Sequence, residues 1–175
     1  VIVAGRHTFN EEGIRNLVEL AEALQCPVID QGARMNFPSR HPLAMRDRGR
    51  PLMNQADVIL ALEAGDVWGL THRQHDDVEP WAERIGNPNV KIIGIAARDT
   101  AIKANMQDYQ RYADMDISIS ASSQATVPYL TEAVKKLVDA GKRAAFEARG
   151  KRIAEQHNQM LEAARTARSE EHTSE

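Results

Sequence analysis

The sequence contains little cysteine, few aromatic residues and no long apolar run, and each shortage excludes a class of protein. Cys26 is the single cysteine among 175 residues, so no disulfide can form within the chain, and a reducing, cytoplasmic location is expected. No apolar stretch approaches the roughly 18 residues of a membrane-spanning helix, and no signal-peptide pattern is found. The net charge of −3 provides no positive field that would attract nucleic acid or an anionic membrane.

Familiar catalytic and phosphate-binding motifs are also missing. The sequence has no G-x-G-x-x-G fingerprint, no P-loop, no nucleophile elbow and no Ser-His-Asp order. The stretch His72-x-x-His75-Asp76-Asp77 offers potential metal ligands, but it is polar and loop-like and no further ligand is indicated elsewhere in the sequence, so a solvated loop is the favoured interpretation. We therefore assign no catalytic residue and no metal ligand from the sequence.

Five short segments rich in β-branched residues are present and predict strands. They cover residues 1–5, 27–30, 57–62, 90–96 and 116–120, and the last is weaker and alternating, which places it nearer an edge. Asn10 precedes an apolar stripe of helical spacing and predicts a helix over about 11–24. Short helices are predicted near Pro51–Gln55 and around Pro80–Ile85, and Thr126 is predicted to cap a helix that carries Pro128 in its first turn.

After residue 141 the chain is rich in Ala, Glu, Arg and Gln, with a thin apolar stripe broken by Gly150. This pattern predicts a linker helix over 142–165 that docks on something outside the domain. Residues 168–175 are polar, carry no packing stripe and resemble the translation of a sequencing adapter, so they are expected to be an artefactual tail; a natural solvated tail is the alternative.

Strands that alternate with helices predict an α/β fold, with an open, mostly parallel, doubly wound Rossmann-like sheet of about five to six strands and a C-terminal linker helix. Ligands of such sheets lie beyond the carboxyl ends of the strands. Gly5 and Arg6 follow the first strand, where a phosphate could meet Arg6 and the next helix N-terminus. A plain turn with a solvated arginine is the alternative, and the motif alone favours it.

Four segments together resemble the central domain of the thiamine-diphosphate-dependent enzyme superfamily, of the acetolactate synthase, benzoylformate decarboxylase and pyruvate oxidase type. The segments are Val1-Ile-Val-Ala-Gly-Arg6, the helix Leu17–Leu24 running into Pro27-Val-Ile, Asn36-Phe-Pro-Ser-Arg-His-Pro-Leu43, and Asn54-Gln-Ala-Asp-Val-Ile-Leu-Ala-Leu62. The match runs from residue 1 to about 140. The Phe-Pro-x-x-His-Pro-Leu turn before the third strand is its most specific part.

The resemblance implies a central Rossmann-like domain over 1–140, a helical linker over 141–167 toward a diphosphate-binding domain, and the tail over 168–175. It implies a lyase or transferase that acts on a small 2-oxo acid with thiamine diphosphate and magnesium, in a homodimer or homotetramer. The Gly-Asp-Gly motif that holds magnesium and diphosphate in the family is absent, so this chain alone is expected to be inactive.

Flavin-containing members of the family bind FAD at the strand ends of this domain, and the resemblance carries that role to Gly5, Arg6 and Asp99. The chain departs from the flavin pattern in two places: the first turn has a single glycine, and Ala44-Met-Arg-Asp-Arg-Gly49 replaces a Gly-Met-His-Gly-like turn. An architectural role is therefore favoured over an FAD site. A free-standing FAD- or NAD-binding module and a non-catalytic assembly domain remain the alternatives.

Overall fold

The computed structural model describes residues 1–32, 34–45, 49–75, 81–97 and 114–173. Its strands are β1 (Ile2–Ala4), β2 (Val28–Asp30), β3 (Val58–Leu62), β4 (His72–His75), β5 (Trp81–Arg84), β6 (Lys91–Ala96) and β7 (Ile117–Ser120). Its helices are α1 (Glu11–Leu24), α2 (Gly49–Asn54), α3 (Ser123–Leu137) and α4 (Ala140–Thr173), with a 3-10 turn at Trp68–Leu70. No helix within these ranges is long and apolar enough to cross a membrane.

Within the described ranges, five strands form one parallel sheet in the order β2-β1-β3-β6-β7. Val3 pairs with Ile29 on one side and with Ala61 on the other, which makes β1 a central strand. The predicted α/β fold with an open parallel sheet and a long C-terminal helix is confirmed. The last strand lies at the edge of the sheet and is exposed along its length, as its weak pattern predicted.

The core lies on both faces of this sheet because β1 and β3 carry apolar residues at every position, as strands buried on both faces do. Ile2, Ala4 and Leu60 pack with α1 and α3. On the other face, Val3 and Ile59 belong to a second cluster with Met53 of α2 and with Val67 and Leu70 at the 3-10 turn. Helices α1 and α3 also pack against each other, with an ion pair between Lys135 and Glu19 at 2.5 Å. The face between these helices and the sheet therefore carries the larger apolar cluster.

The predicted short helix around Pro80–Ile85 is wrong. Residues Trp81–Arg84 form β5, which pairs antiparallel with β4 in a separate two-stranded ribbon. Here β4, the strand immediately before it in the chain, supplies backbone hydrogen bonds, and this pairing overrides a weak local preference.

The predicted cap of the next helix is also wrong, because α3 begins at Ser123 rather than after Thr126. Ser122 is the N-cap, and its side chain accepts the Ala125 N–H at 3.4 Å. Pro128 is therefore inside the helix rather than in its first turn. The earlier start places Ser123 and Gln124 against the turn that follows β1.

Helix α4 extends beyond the predicted 142–165 on both sides, and its middle packs on this domain. Ile153 is buried in the larger core cluster, and the His157 ring nitrogen Nδ1 lies 2.8 Å from the Ala44 carbonyl oxygen. Arg149 donates to the carbonyls of Leu24 and Gln25, which end α1. Through these residues the linker helix packs on its own domain, whereas the sequence predicted that it docks on something outside the domain.

Candidate functional site

The predicted ligand edge lies at the carboxyl ends of β1 and β3. From β1 the chain leads to β2 on one side of the sheet, while β3 lies on the other side, and such a reversal of strand order opens the ligand crevice of doubly wound folds. The turn after β1 holds Gly5, and the first residue after β3 is Glu63. These two residues define the candidate site.

Gly5 is needed at this position because the backbone after β3 comes very close. Its N–H donates to the Leu62 carbonyl at 2.9 Å, and the next N–H, that of Arg6, donates to the Glu63 carbonyl at 3.2 Å. A Cβ atom on Gly5 would lie 2.2 Å from that same Glu63 oxygen. The glycine is therefore explained by packing between two strand ends, without a bound phosphate.

The other two predicted site residues do not join Gly5 in a pocket. The Arg6 side chain is exposed, and the described residues offer its guanidinium no hydrogen bond or ion pair. Asp99 lies outside the described residues. The predicted role of Gly5, Arg6 and Asp99 in FAD binding stays a prediction.

The N-terminus of α1, where a dinucleotide phosphate would lie, is covered by a side chain from α3. The Phe9 N–H donates to Gln124 Oε1 at 2.6 Å, and Gln124 Nε2 donates to the capping Asn10 oxygen at 3.1 Å. A Cβ at Gly13 would lie 2.4 Å from Gln124 Oε1, which shows how closely this side chain is seated on the first turn. A phosphate would have to displace Gln124 to reach these donors.

The carboxylate of Asp30, at the end of β2, also accepts its hydrogen bonds from within the chain. In dinucleotide-binding folds a carboxylate near this position accepts the ribose hydroxyl. Asp30 instead accepts the Gly32 N–H at 2.8 Å, the Asn36 N–H at 2.8 Å and the Asn36 side-chain amide at 2.9 Å. Its oxygens already have the donors that a ribose would supply.

Asn36 connects this acid to the turn after β1. The residue is fully buried, its Oδ1 accepts the Thr8 N–H at 3.0 Å, and its Nδ2 donates to the Gly5 carbonyl at 2.6 Å. These bonds hold the loop that follows β2 against the turn that follows β1. The space between two strand ends is therefore filled by a hydrogen-bonded asparagine.

Three more polar residues are buried at the same edge. The His7 ring nitrogen Nδ1 lies 2.7 Å from Ser123 Oγ, and Glu63 Oε1 accepts the backbone N–H of Ser123 at 3.4 Å and that of Ala97 at 3.0 Å. Burial lowers the pKa of His7 to about 4, so the ring is neutral at physiological pH. Neither His7 nor Ser123 has any exposed surface, so a substrate cannot reach this pair as it could reach a nucleophile and base.

Sequence reasoning did not find this cluster. Neither His7 nor Ser123 belongs to a recognisable motif, and their contact joins residues 116 positions apart. The available signal was the order of the strands, which put the residues after β1, β3 and β6 at one edge.

In the stretch with possible metal ligands, His72 and His75 begin and end β4 rather than lying in a loop. The His72 ring stacks on Trp68 with 4.3 Å between the ring centroids, and Asp76 and Asp77 lie outside the described residues. The described part of the chain contains no group of three or more His, Cys, Asp or Glu side chains arranged to hold a metal ion.

A cavity of about 580 Å³ lies at the opposite, amino edge of the sheet, between the strands and α4. Its lining includes Leu24, Cys26, Leu60 and Phe146. Arg149 also borders it, but this guanidinium bonds to the two carbonyls that end α1 and stacks 4.4 Å from the Phe146 ring. The cavity is therefore mainly apolar, and its arginine is already engaged.

Comparison with known proteins gives a structural likeness without a sequence match. No family model and no curated protein matches the sequence. A solved structure from Mycobacterium smegmatis, described as a candidate thiamin diphosphate-dependent enzyme, superposes with a TM-score of 0.53 over 79% of this chain at 20% identity. The match covers 24% of the mycobacterial chain, so this chain spans about a quarter of that protein's length. The likeness supports the fold: an α/β domain similar to one part of that larger protein.

Proposed function

We propose that this chain is the central, architectural domain of a thiamine-diphosphate-dependent enzyme that cleaves or joins 2-oxo acids. The observation that carries the proposal is the superposition of 79% of the chain on one part of the mycobacterial protein. The four sequence segments that resemble the same superfamily support it independently of that superposition.

The carboxyl edge supports an architectural role rather than a cofactor role for this domain. Gly5 is packed against the strand end beside it, Gln124 covers the N-terminus of α1, and Asp30 has its donors within the chain. Among the described residues at this edge, the groups that the phosphates and ribose of FAD or NAD would meet are already bonded within the chain. The same contacts argue against a free-standing nucleotide-binding module.

Thiamine diphosphate and magnesium likewise have no fitting site among the described residues. The sequence lacks Gly-Asp-Gly, and the described residues contain no cluster of carboxylates for a metal. In the proposed enzyme, other domains hold the cofactor and perform the chemistry. This domain would act as a rigid spacer in a cytoplasmic homodimer or homotetramer, with α4 leading from the core toward its neighbour.

The coding sequence on both sides of this segment tests the proposal. We expect an upstream pyrimidine-binding domain and a downstream Gly-Asp-Gly followed by an asparagine. A complete reading frame without the downstream motif would refute the assignment to this enzyme class.

Titration of the 175-residue chain with FAD, NAD and magnesium thiamine diphosphate tests the architectural role separately. We expect no heat of binding at millimolar ligand. Saturable FAD binding would leave the enzyme class intact but would replace the architectural role with a cofactor site.

A further inference from the structure

Glu63 is a buried acidic residue at the carboxyl edge that pairs with no cationic side chain among the residues that the structure describes. Its side chain is 8% exposed, and among the described residues no Lys, Arg or His side chain pairs with it. An isolated buried charge is costly unless oriented dipoles compensate it. Within the described ranges, two backbone amides donate to its Oε1 atom, that of Ala97 after β6 and that of Ser123 at the start of α3.

These two amides have the properties of an anion-binding site. Ser123 is the first residue of the 15-residue α3, and a helix N-terminus carries positive partial charge and free N–H groups. Ala97 follows β6 at the edge where doubly wound folds bind ligands. His7 borders the same site through Ser123 Oγ, is fully buried, and keeps its Nε2 atom without a hydrogen-bond partner in the described structure.

The backbone of Glu63 is held in an unusual conformation that aims the carboxylate at this site. Its φ is 49°, in the left-handed region that costs a non-glycine residue about 1 kcal/mol or more. Two bonds hold this conformation: the Glu63 N–H donates to the Ile95 carbonyl at 2.9 Å, and the Glu63 carbonyl accepts the Arg6 N–H at 3.2 Å. Strain of this kind persists where surrounding contacts fix it, and here it joins the strand ends of β1, β3 and β6.

We propose that the Glu63 carboxylate is an internal ligand that occupies the anion site formed by the Ala97 and Ser123 amides, in place of a phosphate or other free oxyanion. Glu63 is thus a positioning residue that joins the turns after β1 and β6 to the N-terminus of α3. Because the carboxylate is tethered in place, its effective concentration exceeds that of any free anion, and the wild-type site takes no external ligand. The inference concerns this chain alone and does not depend on the enzyme class.

Chemical rescue in the 175-residue chain tests this role. Glu63→Ala removes the carboxylate, and we expect the melting temperature to fall by about 5–10 °C, since two amides lose their acceptor. Formate at about 0.2 M should restore several degrees relative to chloride at equal ionic strength, because formate can occupy the vacated site. Glu63→Gln keeps an acceptor oxygen and should lose less than half as much as Glu63→Ala.

Glu132→Ala is the matched control, because Glu132 is an exposed glutamate on the same helix. Neither this variant nor the wild type should respond to formate more than to chloride. Glu63→Gly also lacks the carboxylate but relieves the left-handed strain, so it replaces the alanine variant if that variant does not fold. Equal effects of formate and chloride on the variant that folds, or failure of both to fold in formate, would overturn the proposal.

Discussion

Asn36 tests whether side chains of the protein itself fill the carboxyl edge. An aspartate has the same shape, but it would replace the hydrogen-bond donor Nδ2 by an oxygen and so turn two attractive contacts into repulsive ones. Asn36→Ala leaves the Thr8 N–H and the Gly5 carbonyl without partners in a fully buried position. Each unsatisfied buried group costs about 1–3 kcal/mol, so we expect a loss of about 4 kcal/mol in the free energy of unfolding.

Asn36→Asp should be worse at neutral pH. The substitution puts a carboxylate oxygen where the amide nitrogen now lies, 2.9 Å from Asp30 Oδ1 and 2.6 Å from the Gly5 carbonyl oxygen. Two unit charges at that separation repel by about 6 kcal/mol at an effective dielectric constant near 20. Part of this cost is avoided when the new carboxyl takes up a proton.

The pH dependence follows from that protonation. The new carboxyl has a raised pKa in the folded protein against about 3.9 in the unfolded chain, so the folded state binds more protons between the two values. Stability relative to the wild type is therefore highest at low pH and falls by about 1.4 kcal/mol per pH unit as pH rises through this window.

Urea unfolding followed by circular dichroism at pH 4.5 and pH 7 measures both variants against the wild type at each pH, so the titration of other groups cancels. Asn36→Ala should show the same deficit at both values. If Asn36→Asp shows no larger deficit at pH 7 than at pH 4.5, the hydrogen-bond assignment at Asn36 is incorrect.

Three further predictions follow from the same structure. Burial lowers the pKa of His7 to about 4, so the unfolded chain takes up a proton at this residue first as pH falls from 6.5. Folding free energy on the order of 3 kcal/mol should be lost between pH 6.5 and 4. In urea unfolding at a series of pH values, the stability of His7→Asn should change less with pH than that of the wild type. Gly5→Ala should disrupt the carboxyl edge and lower the melting temperature by more than about 8 °C, because its Cβ would lie 2.2 Å from the Glu63 carbonyl oxygen. Gly65→Ala is the control: its Cβ would have no atom within 4 Å, and the melting temperature should change by less than about 2 °C. Ile153→Ala should cost about 2–4 kcal/mol in urea unfolding, and a loss below 0.5 kcal/mol would mean that α4 does not pack on the core in solution.

Much of the fold was predictable because its strong signals are local. The apolar runs of β1, β3 and β6 and the stripe of α1 mark buried strands and an amphipathic helix without any knowledge of tertiary contacts. The weak elements were not predictable, because they lack a strong local signal. Strand β5 exists because β4 pairs with it. The start of α3, by contrast, had a local signal in its N-cap Ser122, which the prediction of a cap at Thr126 overlooked.

The location of the candidate site could be predicted from the sequence, but the residues that fill it could not. Gly5 directly follows β1, and because all the strands of the sheet run parallel, the end of that strand lies at the carboxyl edge. The filling of that edge by Asn36, Glu63 and Gln124 depends on side-chain geometry, and these residue types are common in solvated turns as well. The spacing of these residues in the sequence does not show whether they fill a buried edge or lie in a solvated turn.

The attachment of α3 to the turn after β1, and of α4 to the end of α1, has a consequence for how the chain folds. His7 meets Ser123 across 116 positions, and Arg149 reaches Leu24 across 125. Contacts of such long sequence separation form only after most of the loop-closure entropy has been lost, and they slow folding. During synthesis, β1 and α1 would therefore leave the ribosome well before Ser123 and Arg149, their partners on α3 and α4.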